Sequence, residues 1–473
     1  MRKKFPTKGR NADDLLSELE SLKTNDLQWK KGRAFSYVYY AEQAITETLK
    51  KAYLSYFSEN ALNPSAFPSL LKMENEVVSM CLDLFDANEN ASGNMTSGGT
   101  ESILMALKSA KEYAKITKPH ITHPEVLLPV SAHPAFDKGC DYFGLNPKKI
   151  PIKDDFRLDV DAMKSAITEN TILLVASAPS YPQGVIDPIT ELGELATKED
   201  LLFHVDACVG GFVLPFMQPN RKWNLGVKGV TSMSADIHKY GFASKGSSVI
   251  LYNNPELRKA QYYVYTDWSG GMYGSPAILG TKPGGAIAVA WTILHLLGHE
   301  GYSEKVATSL RLAQIFKDKI TSYKGLQVFG NPDMCIFSFG SNQFNIYELG
   351  DEMHLKGWLM DRQQNPAALH MSISPYHENI VDEFFADFEE ALKKAKKPTI
   401  HSTMNKIQVG ANKGLKKILP SKTYKKVQDF ALSKADPTRK RSAALYGMIG
   451  DLQGEGETEE LIKNYLDKLF SEK

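Results

Sequence analysis

Cysteine is scarce: Cys81, Cys140, Cys208 and Cys335 lie far apart in 473 residues and form no C-x-x-C pair. That argues against a zinc ribbon and a disulfide scaffold, and it fits a reducing compartment. Net charge is nearly absent, since 56 Lys and Arg against 55 Asp and Glu leave +1. No global field therefore draws the chain to nucleic acid or to a charged membrane surface. The longest apolar run, AIAVAWTILHLLG from Ala286 to Gly298, falls short of the ~20 residues that a bilayer span needs. It reads as a buried helix, so no transmembrane segment is expected. The opening MRKKFPTKGR is basic, but NADDLLSELESL follows where a signal peptide would place its apolar core. Repeats and low-complexity tracts are missing as well. The expectation is a soluble cytoplasmic protein, with export by a signal-less route left open.

What the chain has is enough apolar content, 42%, for a large core and more than one domain. Residues 1–60 form an extension rich in aromatics, with one helical stretch from Glu42 to Phe57, the kind of arm that often packs on a partner subunit. From Asn94 to about Tyr252, short runs such as VLLPVS, TILLVASA, LLFHVDA and SSVILY alternate with helical patterns. Their length and β-branched content mark strands, and the alternation predicts an α/β fold with a mostly parallel sheet covered by helices. The expected division is a large domain over 61–300, a smaller α+β domain over 301–398, and a tail over 399–473 that carries YGMIG.

Four features in the large domain bear on chemistry. The loop TSGGTES, Thr96 to Ser102, opens a helical pattern; its glycines, among them Gly99, let backbone approach an anion, and Thr100 offers a hydroxyl beside the helix N-terminus. SAHP follows a strand and places His133 where an imidazole can lie over a flat ring. Asp206, in HVDACVGG, ends a buried strand, well placed to pair with a ring nitrogen. Lys239 follows His238 in TSMSADIHKYGFASKGSS, between a strand and a small-residue loop. Each alone has a plainer reading: a capped helix start, a loop histidine, a strand-end cap, a solvated lysine. Together, in this chain order near the ends of strands, they fit the site of a fold-type I pyridoxal phosphate enzyme.

The segments GNMTSGGTESILMA, SAHPAFDKGCDYFG, GVIDPI, HVDACVGGF, KGVTSMSADIHKYGFASKGSS, TDWSGGMYGSP and YGMIG resemble those of the sphingosine-1-phosphate lyase family, within the wider group II pyridoxal-dependent decarboxylases. The resemblance runs from about Gly32 to Gly450. It implies an aspartate aminotransferase-like homodimer with shared active sites and bound pyridoxal phosphate. Lys239 would be the Schiff-base lysine, Asp206 the partner of the pyridine nitrogen, and His133 the ring over the cofactor. Gly99, Thr100 and His238 would meet the cofactor phosphate, with Thr281 of GTKPGG reaching it from the other subunit. Lys245 and Tyr39 match residues that hold the substrate phosphate, Asn60 an active-site asparagine, and Tyr273 and Tyr446 active-site tyrosines. At Asn63 the family has a histidine expected to help hold the substrate phosphate; an amide donates a hydrogen bond without charge, so phosphate would be held less strongly or the head group would differ somewhat. The chain is also expected to lack the membrane anchor of the eukaryotic members and to match the soluble bacterial ones.

The reaction so implied is retro-aldol cleavage of a phosphorylated long-chain amino alcohol to an aldehyde and phosphoethanolamine, with Lys239, Tyr273 and Tyr446 as candidates for the proton transfers. An amino-acid decarboxylase is the alternative on the same scaffold. Such enzymes commonly fork an arginine onto the substrate carboxylate. The comparable stretch here, ALHMSIS from Ala368 to Ser374, holds His370 and no arginine, although Arg362 lies nearby. A catalytically silent binding scaffold is a third reading, against which Lys239, Asp206 and the phosphate loop stand together. No metal site is expected.

Overall fold

The computed structural model describes residues 4–218, 222–397 and 456–471, with Ala443 and Tyr446 between them. The large sheet is built from β1 (Ser92–Thr96), β2 (Glu125–Pro129), β3 (Asn146–Ile150), β4 (Thr171–Ser177), β5 (Leu202–Asp206), β6 (Ser232–Ala235) and β7 (Ser248–Tyr252), in the order β1-β7-β6-β5-β4-β2-β3. Strands β3, β2, β4, β5 and β6 run parallel, while β7 is antiparallel to both β6 and β1. Every residue of β4, TILLVAS, is buried, as expected of a central parallel strand covered on both faces. At the far edge β3 reads NPKKI and is exposed over its first four residues, where Lys148 and Lys149 discourage pairing with another chain.

Helix Gly99–Thr117 lays Ile103, Leu107, Ala110 and Ala114 against this sheet at helical spacing. It stops at Lys118 because Pro119 disfavours helical backbone in the residue before it. A hairpin of β8 (Tyr263–Tyr265) and β9 (Tyr273–Ser275) stands apart from the large sheet. Helix Gly284–Ser322 is broken at Gly298, whose φ of 55° and ψ of −171° are not helical. Its start is buried from Gly284 to Ala290 and at Ile293 and Leu294, while His295 and Leu296, in the run expected to be buried, are exposed.

The smaller unit is an antiparallel sheet of β10 (Leu326–Val328), β11 (Ile336–Ser341), β12 (Asp361–Gln363) and β13 (Ala368–Ser372), ordered β10-β11-β13-β12. Part of the amino-terminal arm belongs to it. Phe35 donates its amide to Leu359 (3.0 Å) and accepts from Ser372 (2.8 Å), and its ring packs among Phe316, Phe384 and His377. The arm therefore splits, because an aromatic at 35 completes the small unit's core and fixes Ser36 to Tyr39 beside the large sheet's strand ends. Among the described residues, no helix is long and apolar enough to cross a membrane.

Candidate active site

A cavity of about 510 Å³ opens at the carboxyl ends of β2, β4, β5 and β6, where ligands bind in open α/β sheets. Eight of the sequence-predicted residues line it: Tyr39, Gly99, Thr100, His133, Asp206, His238, Lys239 and Lys245.

One end is an anion cradle. Strand β1 ends at Thr96, and Ser97 and Gly98 lead straight into helix Gly99–Thr117. Glu101 reaches back to accept the Ser97 amide (2.7 Å), while Thr96 and Ser248 hold the Ser102 hydroxyl from two strands (2.6 and 2.9 Å). A Cβ at Gly99 would lie 2.8 Å from Cys208 Sγ and 2.9 Å from Asp236 Oδ2, so only glycine fits there. The backbone is thus left bare at the positive end of a helix dipole.

Beyond β6 the chain turns through Asp236, His238 and Lys239. Asp236 is buried and accepts from Lys239 Nζ at 2.8 Å, with His238 Nε2 3.5 Å away. Burial favours a neutral Lys239, yet the Asp236 carboxylate outweighs it and raises the ammonium well above its ordinary value. Burial lowers His238 despite the same carboxylate.

At the end of β5, Asp206 Oδ1 accepts from the Cys208 amide (3.0 Å) and the Ser234 hydroxyl (3.3 Å). These bonds orient the carboxylate and leave Oδ2 with no partner among the described residues. His204 lies in the layer beneath, satisfied by Ser232 and Ser234 (2.9 and 3.2 Å). His133 Nδ1 accepts from the Ala135 amide (3.1 Å), which puts the proton of a neutral ring on Nε2. Burial lowers its pKa, keeping the imidazole neutral.

The opposite wall comes from the arm and the small unit. Lys245 Nζ lies 5.2 Å from the centre of the Tyr39 ring and 3.3 Å from the His238 carbonyl. Burial and the nearby Lys239 bring Lys245 down to about 8. Asp361, at the start of β12, accepts from the hydroxyls of Tyr37 (2.6 Å), Tyr181 (2.6 Å) and Ser36 (3.2 Å).

The model of the pyridoxal-dependent decarboxylase conserved domain matches residues 1–341. The sphingosine-1-phosphate lyase of Oryza sativa is 41% identical over 408 residues, 84% of this chain and 75% of that protein. Its counterpart in Saccharomyces cerevisiae is 37% identical over 478 residues, 98% of this chain and 75% of that one. The chain belongs to the sphingosine-1-phosphate lyase branch of the pyridoxal-dependent decarboxylase family. A solved sphingosine-1-phosphate lyase of Burkholderia pseudomallei superimposes with a TM-score of 0.80 at 33% identity, covering 89% of this chain and 98% of its own. A glutamate decarboxylase of Lactobacillus brevis shares the fold, with a TM-score of 0.75 at 19% identity over 85% and 96% of the two chains.

The cofactor of the pyridoxal-dependent family is pyridoxal phosphate, and the residues fit it. Gly99 leaves the space a Cβ would fill, at a helix N-terminus suited to a phosphate. Asp206 offers a free carboxylate oxygen, His133 a neutral ring, and Lys239 an amine, all on one cavity.

Five predicted residues are not on that cavity. Asn60 and Asn63 accept amides of Leu62 (3.2 Å) and Ser65 (2.9 Å) in tight local turns. Thr281 is exposed, beside Lys282, which makes a buried ion pair with Glu74 (2.6 Å) and accepts the Ala61 amide at its carbonyl (3.0 Å). Tyr273 lies on the β8–β9 hairpin, with its ring centre 6.2 Å from that of Tyr263. Tyr446 sits near Tyr347 and under Arg362, 5.7 and 5.5 Å away; the rest of YGMIG lies outside the described residues.

Sequence reasoning missed Asp236, Tyr37, Tyr181 and Asp361. Only Asp236 left a local signal, as an acid three residues before a buried lysine.

Proposed function

We propose that this chain cleaves sphingosine 1-phosphate, as its relatives' names state of them, giving a long-chain aldehyde and phosphoethanolamine. The observation that carries the choice over amino-acid decarboxylation is the commitment of Arg362. Its guanidinium is bound to Asp351 at 2.7 Å, both side chains are buried, and no arginine lines the cavity among the described residues. A substrate carboxylate would find no fork to receive it, whereas a phosphate would meet Lys245.

Bound pyridoxal phosphate supplies an electron sink for the carbon left when the carbon–carbon bond breaks. The helix N-terminus at Gly99, with Thr100 and His238, holds the cofactor phosphate. Asp206 would keep a proton on the pyridine nitrogen, and His133, held as a neutral imidazole, would lie over the ring. Lys239 would carry the cofactor, and Asp236, 2.8 Å from its Nζ, would keep a proton close by for return to the substrate. Lys245 and Tyr39 hold the substrate phosphate. Tyr273 and Tyr446 are the further candidates for moving the hydroxyl proton.

A homodimer with shared sites would account for four of the five residues off the cavity. Tyr273 and Thr281 stand in a segment flanked by exposed Tyr263, Val264, Met272 and Ile278, an apolar surface suited to a second copy. That copy would receive Thr281 at its cofactor phosphate, and Tyr273, Asn60 and Asn63 at its substrate. Co-expressing Lys239→Ala with Tyr273→Phe tests this. Random pairing should restore about a quarter of native activity if Tyr273 acts across the interface, since half the dimers are mixed and each holds one intact site. No recovery above the two separate variants would place Tyr273 in its own subunit's site. The four buried cysteines, none in a disulfide, support a cytoplasmic setting.

The deciding experiment gives purified protein, loaded with pyridoxal phosphate, sphingosine 1-phosphate and a panel of amino acids. Aldehyde and phosphoethanolamine are expected. Carbon dioxide without aldehyde would make it a decarboxylase.

A further inference from the structure

We infer that Asp361 is a specificity-determining residue that closes this site to amines bearing an α-carboxylate. The inference rests on the reading above, that the cavity receives a phosphorylated amine at Lys239.

Asp361 lines the same cavity as Lys239 and Lys245, and among the described residues it makes no ion pair; His370 opposite it on the paired strand is kept neutral by burial. The next residue, Arg362, turns away to Asp351. Two phenols instead fix the carboxylate, one on each oxygen: Tyr37 on Oδ1 and Tyr181 on Oδ2, both at 2.6 Å. Burial and Asp361 itself raise both phenols, so they remain donors. Tyr37 holds its place with a φ of 67°, a left-handed backbone that disfavours a bulky side chain. Such a conformation persists where the surroundings over-determine it. Here the hydroxyl bond to Asp361 contributes to that constraint.

The outcome is a fixed negative wall in a small cavity whose lysines are Lys239 and Lys245; its other carboxylates are already engaged, Asp236 with Lys239, Glu101 with backbone amides and Asp206 with the Cys208 amide. A phosphorylated amino alcohol presents one anionic group, which Lys245 meets. A phosphorylated amino acid adds a carboxylate on the carbon that bears the amine, and among the described residues that second anion meets no guanidinium on the cavity but does meet Asp361. Discrimination by an unfavourable charge is the negative form of specificity, and it needs no added contact to the preferred substrate.

Phosphoethanolamine and L-phosphoserine differ only by that carboxylate, so the ratio of their dissociation constants isolates the effect. Both are titrated into cofactor-loaded enzyme and followed by calorimetry. The wild type should prefer phosphoethanolamine, and Asp361→Asn should narrow the preference by about 10-fold or more, chiefly through tighter phosphoserine binding, equivalent to ~1.4 kcal/mol. Asp361→Glu and Tyr37→Phe retain the charge and should retain the preference. If Asp361→Asn does not accumulate, Asp361→Ser removes the charge while keeping an acceptor for the phenols. An unchanged ratio in the neutral variant overturns the proposal, as does an equal shift in Tyr37→Phe, which would credit the shape of the wall. Wild-type enzyme that binds neither compound overturns the underlying reading and the proposal with it.

Discussion

Lys239→Ala is expected to lower turnover of sphingosine 1-phosphate by about 10⁴-fold or more, since it removes the covalent anchor of the cofactor together with a proton-transfer group worth ~10²–10⁴ alone. The visible band of the lysine-bound cofactor should vanish with it. The same substitution should cost stability. Asp236 is 2% exposed and loses its partner at 2.8 Å, and an unpaired buried charge costs ~3–5 kcal/mol. His238, 3.5 Å away, can take up a proton and offset part of this. The double variant Lys239→Ala, Asp236→Asn should therefore melt higher than the single one while remaining inactive. Turnover by Lys239→Ala at the native rate would remove the lysine from the reaction, and a melting temperature unmoved in both variants would show that the ion pair does not matter to folding.

The second large effect is expected at Lys245. Its loss should lower kcat/KM for a phosphorylated substrate by roughly 10- to 150-fold, the range of a hydrogen bond to a charged group at ~1.5–3 kcal/mol. An unphosphorylated long-chain amine should be affected far less. Because the free lysine titrates at about 8, its cationic form is present below that pH and lost above it. The wild-type kcat/KM for phosphorylated substrate should then fall as pH rises through about 8, and the falling limb should disappear in Lys245→Ala. In Lys245→Arg it should move beyond the measured range, since a guanidinium stays charged. Equal losses on phosphorylated and unphosphorylated substrates would remove the phosphate role.

Much of the fold was legible because its signals are local. TILLVAS, VLLP and SVILY are short apolar runs that can be buried on both faces, and they are β4, β2 and β7. Strand β3, NPKKI, was not legible: an edge strand with two lysines and a proline has neither apolar content nor alternation. Strand β1, SGNMT, hides for another reason. Its Gly93 is required by packing, since a Cβ there would lie 2.5 Å from the Ile250 carbonyl oxygen, and glycine reads as loop.

The site divides in the same way. His133 and Asp206 each follow a recognisable strand, and Gly99 and Lys239 sit in small-residue loops that the sequence shows directly, so chain order gathers the four at one end of the sheet. Asp361 and Tyr37 meet across 324 positions through the small unit, and no local pattern records that. The arm was misleading in one respect: its aromatic content reads as a surface for another subunit, yet Phe35 is spent on the chain's own core.

The contact between Asp236 and Lys239 also bears on how the protein must be handled. An imine forms only from a neutral amine, and Asp236 holds Lys239 as an ammonium well above its ordinary value. Near neutral pH only a small fraction of the apoprotein therefore carries the reactive form. Reconstitution is consequently governed by a rare deprotonation, and it should quicken in mildly alkaline buffer. Protein stripped of its cofactor in acid should reload faster when the pH is raised before the cofactor is returned.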